Sequence, residues 1–251
     1  MQQPIVTKEQ EKKVKALGFL RNRGTDNFSA RIITVNGKIT ADQATAVAAA
    51  AKKFGNGIVT MTTRLTLECQ GIPFDKIEDF RAELAEVGLE TGGTGSKVRP
   101  IVSCKGSTCQ YGLIDAFALS EECHKKFYKG YREVKLPHKF KIAVGGCPNN
   151  CVKPDLNDLG IIGQYIPKID EESCNGCKKC TIESACPIGV AKIEDGIISI
   201  DKALCNNCGL CIDKCSFDAI PDGIRGYKIY IGGRWGKQTA VGKALSKIFT
   251  D

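Results

Sequence analysis

Hydrophobic positions in the first third of the chain fall into two textures, β-branched runs and stripes of helical period. SARIITVN (29–36) is rich in β-branched residues and predicts a strand. Thr40 then opens a helix: Thr40-x-x-Gln43 is a capping box, an Ala-rich stretch follows, and Gly55 closes it. GIVTMTTRLTLEC (57–69) predicts a second strand. A second helix is expected over 73–87, with Pro73 at its start, Phe74, Ile77, Phe80, Leu84 and Val87 on one face, and Gly88 at its end. This order predicts a β-α-β-β-α-β-like α+β layer.

ETGGTGSKVRP (90–100) follows as a glycine-rich loop, and residues 101–166 alternate short apolar runs with turns. At Ile166 the texture changes. The segment 167–223 reads as an inserted module with an internal repeat, KIDEESCNGC against SIDKALCNNC, offset by 31 residues. GYKIYIGGRWG (226–236) returns to a strand and a glycine turn, and a terminal helix is expected from Thr239 to Phe249. Three domains follow from this reading: an N-terminal α+β half-domain over 1–92, a second domain built from 93–166 and 224–251, and the insert 167–223.

Composition changes the picture through one residue type. A chain of 251 residues that is 42% hydrophobic and 25% charged is ordinary for soluble domains. Its N-terminal stretch is charged from Lys8 onward and has no signal-peptide core, and no run approaches the roughly 18 apolar residues of a membrane span. A cytoplasmic location is expected. In that setting 14 cysteines point to metal ligation rather than disulfides, and to an oxygen-poor cell. The formal charge of +8 counts those cysteines as neutral thiols. A [4Fe–4S] cluster on four thiolates carries roughly −2, so three clusters would offset about six positive charges. The chain also lacks the basic stripe interleaved with aromatics that a nucleic-acid partner would require.

The strongest chemical signal is Cys174-x2-Cys177-x2-Cys180 with Cys205-x2-Cys208-x2-Cys211-x3-Cys215. Three cysteines at this spacing wrap a turn around one face of an iron–sulfur cube, and the fourth ligand arrives from the other half. Cys174, Cys177, Cys180 and Cys215 are therefore assigned to one cluster, and Cys205, Cys208, Cys211 and Cys186 to another. Zinc sites normally use two separated pairs and leave the third cysteine of each triple without a role. Between Cys180 and Cys186 lie five residues in place of three, which widens that loop. The module resembles a bacterial two-cluster ferredoxin. Cys104 and Cys109 (SCKGSTCQYG) with Cys147 and Cys151 (GGCPNNCVKP) make a separate constellation. Four thiolates in two pairs on tight turns fit a third [4Fe–4S] cluster or a zinc ribbon. Cys69 and Cys123 read as structural thiols, Trp235 as packing, and His124 and His138 as surface residues.

Together with FSARI, TTRLT, LPHKFKIAV and GYKIYIGGRWGK, these cysteines resemble the siroheme-dependent sulfite and nitrite reductases. The likeness is especially to the C-type component of anaerobic sulfite reductase and the small dissimilatory-like enzymes, and it runs from about residue 18 to 240. It implies an α+β siroheme fold: a ferredoxin-like half-domain plus a siroheme/[4Fe–4S] domain, with an inserted two-cluster ferredoxin domain. It also implies that Cys104, Cys109, Cys147 and Cys151 hold the third cluster, with Cys151 bridging to the siroheme iron. By the same resemblance Arg31, Arg64, Lys139 and Lys141 face the substrate. Without it each would read as a solvated strand residue, although alternation puts Lys139 and Lys141 on one face. Gly92-Gly93-Thr94-Gly95-Ser96, beside Lys97 and Arg99, reads either as a nest of backbone N–H groups for siroheme carboxylates or as a bare turn. Arg234 and Lys237 are further candidates.

The activity so implied is six-electron reduction of sulfite to sulfide, electrons passing from the ferredoxin clusters to the siroheme-coupled centre. Nitrite reduction to ammonia and a non-catalytic electron-transfer subunit are the alternatives. Preorganised Arg and Lys donors suit a small dianion that must lose three oxygens as water, and lysines can relay the protons. TGGTGS lacks the strand-to-helix context of a dinucleotide fingerprint. An external donor is therefore expected, either a reduced ferredoxin or a flavin/NADH-linked subunit. Longer family members carry two such repeats, so a homodimer or heteromer is expected; no nucleic-acid or membrane partner is.

Overall fold

In the computed structural model, which describes residues 6–250, the first element is a helix the patterning did not predict, α1 (Lys8–Ala16). Thr7 and Gln10 form its capping box. After it come β1 (Phe19–Arg21), β2 (Phe28–Ile32), α2 (Ala41–Phe54), β3 (Val59–Met61), β4 (Leu67–Ile72) and α3 (Ile77–Glu86). The strands make a sheet in the order β1-β2-β4-β3 with antiparallel neighbours. The capping box at Thr40 and Gln43 forms as expected.

Three expectations need correction. The strand foreseen over 57–69 is a hairpin: Leu65 takes φ 58 and its N–H donates to the Thr62 carbonyl at 3.0 Å, so Arg64 lies in a turn. With β1–β2 also a hairpin, the order is α-β-β-α-β-β-α rather than β-α-β-β-α-β. The helix foreseen from residue 73 begins with a 3-10 turn (Phe74–Lys76) before α3.

One face of the sheet carries Phe28, Ala30, Ile32, Cys69 and Ile72 into a core with Val47, Ala50, Ala51, Ile77 and Leu84 of α2 and α3. Phe80 sits at its centre, edge-on to Phe19 at 6.1 Å and to Phe54 at 6.0 Å between ring centroids. Alternation turns Arg31, its cross-strand partner Glu68 and then Thr60 to the other face.

Packing divides the chain into two units, residues up to 103 with 118–142, and 104–117 with 143 onward. These boundaries differ from those that sequence texture predicts, at 92/93 and around 167–223. The first stretch ends in a short strand, β5 (Val102–Ser103). The helix α4 (Ala116–Cys123) continues as a π-helical segment His124–Lys129. His124 is buried, at 3% exposure, with its ring 4.9 Å from that of Tyr128 one turn on, and is no surface residue. His138 is exposed, as expected.

In the second unit β6 (Ile142–Gly145), β7 (Leu159–Pro167), β10 (Gly223–Ile231) and β11 (Lys243–Phe249) lie in that order across a sheet. The terminal helix expected over 239–249 is thus the strand β11, paired antiparallel with β10 through Tyr227–Phe249 and Tyr230–Ala244. Ala, Leu and Lys favour a helix locally, but strand pairing satisfies the outer edge of β10 and overrides that preference. Trp235, expected to pack, is 64% exposed in the turn before β11. Between β7 and β10, α5 (Thr181–Ala185), β8 (Ala191–Glu194) and β9 (Ile197–Ile200) surround a separate small core of Ile182, Ala191, Ile198, Ile200, Ile212, Ala219 and Ile220. Among the described residues no helix is long and apolar enough to cross a membrane.

Phe80→Ala should lower the unfolding free energy by about 3–5 kcal/mol, while Met61→Ala, at a site 89% exposed on β3, should change it by less than about 0.5 kcal/mol. Guanidinium denaturation of both variants checks this.

Candidate functional site

Arg31 is fixed through its backbone. Its N–H donates to the Gly18 carbonyl and its carbonyl accepts from the Gly92 N–H, both at 3.0 Å. Gly18 takes φ +101, and a Cβ there would lie 2.4 Å from the Gly92 nitrogen, so only glycine permits the approach. The Arg31 guanidinium reaches the Glu68 carboxylate at 3.3 Å and the Gly93 carbonyl at 3.5 Å. Arg99 donates to that same Gly93 carbonyl. Burial, and next the Arg31 charge, push the Arg99 pKa down, with Tyr128 opposing. Nε of Arg31, Nε of Arg99 and the Thr91 hydroxyl are all buried without a hydrogen-bond partner. Buried donors left unpaired are costly, and two of these belong to cations. The set fits a carboxylate or a small oxyanion.

The other predicted cations of this unit are placed differently. From its turn Arg64 donates to the Pro100 carbonyl at 3.2 and 2.7 Å and to the Ile142 carbonyl at 3.1 Å, tying two segments together. Phe140 donates to the Lys97 carbonyl at 3.1 Å and accepts from the Arg99 N–H at 2.8 Å. Lys139 and Lys141, both half-buried, flank Phe140 and so lie on the segment beside Arg99. In the glycine-rich loop Gly93 and Gly95 take φ +71 and +82, and a Cβ on Gly92 would lie 2.9 Å from the Tyr128 hydroxyl. Thr94 donates to the Lys15 carbonyl, and the Lys97 amine to the Arg132 carbonyl at 2.5 Å. Thus Arg31, Gly92, Gly93 and Arg99 come together with 139–141 alongside, while Thr94 and Lys97 are tied to backbone. Sequence reasoning missed Glu68, Thr91 and Tyr128. Glu68 becomes a neighbour of Arg31 only once 57–69 is folded as a hairpin.

In the second unit, Gly106 and Gly146 pack backbone on backbone: a Cβ on either would lie 3.0 or 2.9 Å from the other's Cα. This interlocks the turn of Cys104 and Cys109 with that of Cys147 and Cys151. The Gly146 N–H donates to the Cys104 sulfur at 3.1 Å. Burial pushes the Cys147 thiol up, the Asn149 N–H opposes this, and Cys104, Cys151 and Cys109 each add to the rise. Thiols that resist one another's ionisation suit a cationic body placed among them. Cys104, Cys109 and Cys147 are half-buried and Cys151 is exposed. Arg234 is exposed in a turn closed by its backbone pair with Ala240, at 2.8 and 3.0 Å.

Cys174, Cys177, Cys180 and Cys215 line one cavity, of about 130 Å³, together with Phe217 and Ile198. Cys186, Cys205, Cys208 and Cys211 line another, of about 20 Å³. The five-residue gap before Cys186 is taken up by α5, which ends against that cysteine. The repeat has a local meaning as well. Asp170 accepts from the Glu172 N–H at 3.2 Å and Asp201 from the Ala203 N–H at 2.9 Å, while Gly176 and Asn207 take φ 58 and 53 at equivalent places. Burial raises the Cys186 thiol, but the N–H groups of Ala191, Ile188, Val190 and Gly189 outweigh it and leave the thiol low. Burial pushes Cys211 up to about 11. Among the described residues no three His, Cys, Asp or Glu side chains close on a point as for one metal ion; both sets face a cavity.

Burial pushes the Cys69 thiol up to about 12, with Glu68 adding to it, whereas Cys151 is exposed. Because the thiolate is the nucleophile, iodoacetamide near pH 8 should label Cys151 of the iron-free protein and spare Cys69 until the chain unfolds. Peptide mass mapping reads both sites.

Residues 21–87 match the family model of the nitrite/sulfite reductase ferredoxin-like half domain, and residues 94–251 that of the nitrite and sulphite reductase 4Fe-4S domain. The chain is 35% identical over 197 residues to the coenzyme F420-dependent sulfite reductase of Methanocaldococcus jannaschii, covering 78% of this chain and 31% of that protein. It is 31% identical over 192 residues to the C-type component of the anaerobic sulfite reductase of Salmonella typhimurium, covering 69% of this chain and 54% of the relative. The chain therefore spans about a third of the first relative and about half of the second. Its fold is similar to that of dissimilatory sulfite reductase I, with TM-score 0.67 and 24% identity over 90% of this chain and 58% of the other. It is also similar to the Mycobacterium tuberculosis NirA protein, with TM-score 0.62 and 14% identity over 95% of this chain and 37% of the other. With the half domain and the cluster domain matched in series, the chain belongs to the nitrite and sulfite reductase family.

Proposed function

We propose that this chain carries siroheme and three [4Fe–4S] clusters and reduces sulfite to sulfide with six electrons. The observation that carries the reading is an exposed thiol, Cys151, set among three half-buried ones on interlocked turns. Cys104, Cys109, Cys147 and Cys151 would hold one cluster, and the exposed Cys151 is the sulfur free to reach a second iron. When bound, siroheme would supply a redox-active iron at which sulfite could be reduced.

The protein's own groups do the rest. Arg31 and Arg99 receive anionic oxygens, from the siroheme carboxylates or from the substrate, at donors that otherwise have no acceptor. Gly92, Gly93, Thr94, Gly95 and Lys97 shape the loop around them, and Arg234 is a further carboxylate partner. Lys139 and Lys141, half-buried next to the Arg99 segment, hold protons for the departing oxygens. Arg64 keeps this segment in place through the Pro100 and Ile142 carbonyls. The segment 167–223 serves as an inserted ferredoxin domain, with Cys174, Cys177, Cys180 and Cys215 on one cluster and Cys186, Cys205, Cys208 and Cys211 on the other. The Methanocaldococcus relative is named for coenzyme F420. For this chain the donor is a reduced ferredoxin or a flavin/NADH-linked subunit, reached in a homodimer or heteromer.

Anaerobically purified protein should show siroheme absorption and about thirteen irons per chain, about twelve in the clusters and one in siroheme, and should turn over sulfite with reduced methyl viologen. Iron without a tetrapyrrole would defeat the proposal, and a higher kcat/KM for nitrite would reassign the substrate. Arg31→Ala should lower kcat per bound siroheme by about 10²–10³. Full turnover in that variant would remove Arg31 from the site.

A further inference from the structure

A single run of contacts within the second unit links two of the three cysteine sets. The Cys104 sulfur accepts from the Gly146 N–H at 3.1 Å, and the Gly146 carbonyl accepts from the Leu113 N–H at 2.9 Å. The Leu113 carbonyl accepts from Arg225 Nη1 at 2.8 Å. The Arg225 guanidinium lies over the Tyr165 ring, 4.4 Å from its centroid. These two residues are direct cross-strand partners on β10 and β7. The Tyr165 N–H then donates to the Asn207 carbonyl at 2.8 Å, and the Asn207 N–H to the Cys205 sulfur at 3.4 Å.

The tyrosine is built into this place. Its ring lies where a side chain on Gly209 would begin, 2.7 Å from that residue's ideal Cβ, and Gly209 lies between Cys208 and Cys211. Its backbone bridges in parallel to Cys208, and its hydroxyl donates to Asp222 at 2.9 Å. At the other end Arg225 and Leu113 border an open pocket of about 530 Å³ together with Cys109. Arg225 is itself exposed, so its bond to Leu113 is not a requirement of core packing.

Electron tunnelling falls off more gently along covalent bonds and hydrogen bonds than across empty space. We infer that the cross-strand pair Tyr165–Arg225 couples the cysteine set 186/205/208/211 to the set 104/109/147/151, making the former the immediate electron source of the latter. The set 174/177/180/215 is then the outer one, filled from the donor. One electron leaves the reduced cluster at Cys205 as one enters the cluster at Cys104. No group on the path is itself oxidised or reduced, and no proton need move. Tyr165 and Arg225 are positioning residues for this transfer. The inference rests on the proposal that both sets hold clusters.

The test is rapid mixing of the anaerobic holoprotein with dithionite, following first the bleaching of the ferredoxin-type clusters and then the reduction of the siroheme-coupled centre. Arg225→Met and Tyr165→Leu should slow the second phase by an order of magnitude. The first phase, the iron and sulfide content and the EPR signatures of the reduced clusters should not change. Tyr165→Phe keeps the ring, loses only the Asp222 bond, and should transfer at the wild-type rate. Full cluster content with an unchanged second phase in both Arg225→Met and Tyr165→Leu would overturn this inference alone, as would a Tyr165→Phe as slow as Tyr165→Leu. Wild-type protein without a reducible cluster on the Cys205 set would overturn it together with the proposal beneath it.

Discussion

Two guanidinium groups converge on one carbonyl oxygen, and much of the first unit serves that arrangement. Arg31 and Arg99 both donate to Gly93, and Arg99 loses basicity because it is buried and because Arg31 stands beside it. Glu68 answers one of the two charges. The surplus charge and three unpaired buried donors remain. Buried donors without acceptors carry a free-energy cost in such a site. The site is held because Arg31 is pinned on both sides of its backbone, through a contact between Gly18 and Gly92 that no larger residue allows. On the proposed function, the cost of leaving these buried donors unpaired is recovered when an anion arrives, which is how binding energy would be directed at a reacting group.

The second unit meets the same electrostatic problem with the sign reversed. Burial and mutual proximity raise Cys147, and burial raises Cys211 and Cys205, so a positive charge placed beside these thiols would favour their ionised form. Cys186 shows the other solution, in which backbone N–H groups stabilise the sulfur directly. Hydrogen bonds to cluster sulfurs are one of the protein's levers on potential. The described N–H donors to Cys104, Cys174, Cys186 and Cys205 would, on the proposed function, place that lever at all three sets. On the proposed function, hard cations gather where oxygen is to be removed and soft sulfur where electrons are to be carried.

What the sequence revealed followed the range of the interaction. The capping box at Thr40 and Gln43 is set by a short spacing and could be read directly; the two sets of ferredoxin-type cysteines that the sequence groups each line a cavity. The hairpin over 57–69 could not, because its turn forces φ 58 on Leu65, a residue that does not advertise a turn as Gly or Asn would. The strand β11 hid in an Ala- and Leu-containing stretch, since its reason for being extended is the open edge of β10. The site was legible to the same degree. Arg31 and Arg99 came from motif and loop, but Glu68, Thr91 and Tyr128 depend on register and tertiary approach. Arg64, read as facing a substrate, donates to the Pro100 and Ile142 carbonyls, contacts the sequence does not announce. His124 looked like a surface residue because its helical segment has no periodic signal at the sequence level that distinguishes its inward side.

The net charge shows why residue counting alone misleads for such a chain. A formal +8 would ordinarily suggest a polyanionic partner. That count assigns nothing to the cysteines, yet three clusters at roughly −2 each would remove about six of those charges. What is left is small, and in the first unit Arg31 and Arg99 hold cationic charge beside donors that lack an acceptor. A charge kept partly buried at one place acts on a single small ligand, whereas the same charge spread over the surface would be screened within a Debye length and serve only general attraction. On the proposed function, part of this basic character would balance anionic cofactors and part would receive an anionic substrate.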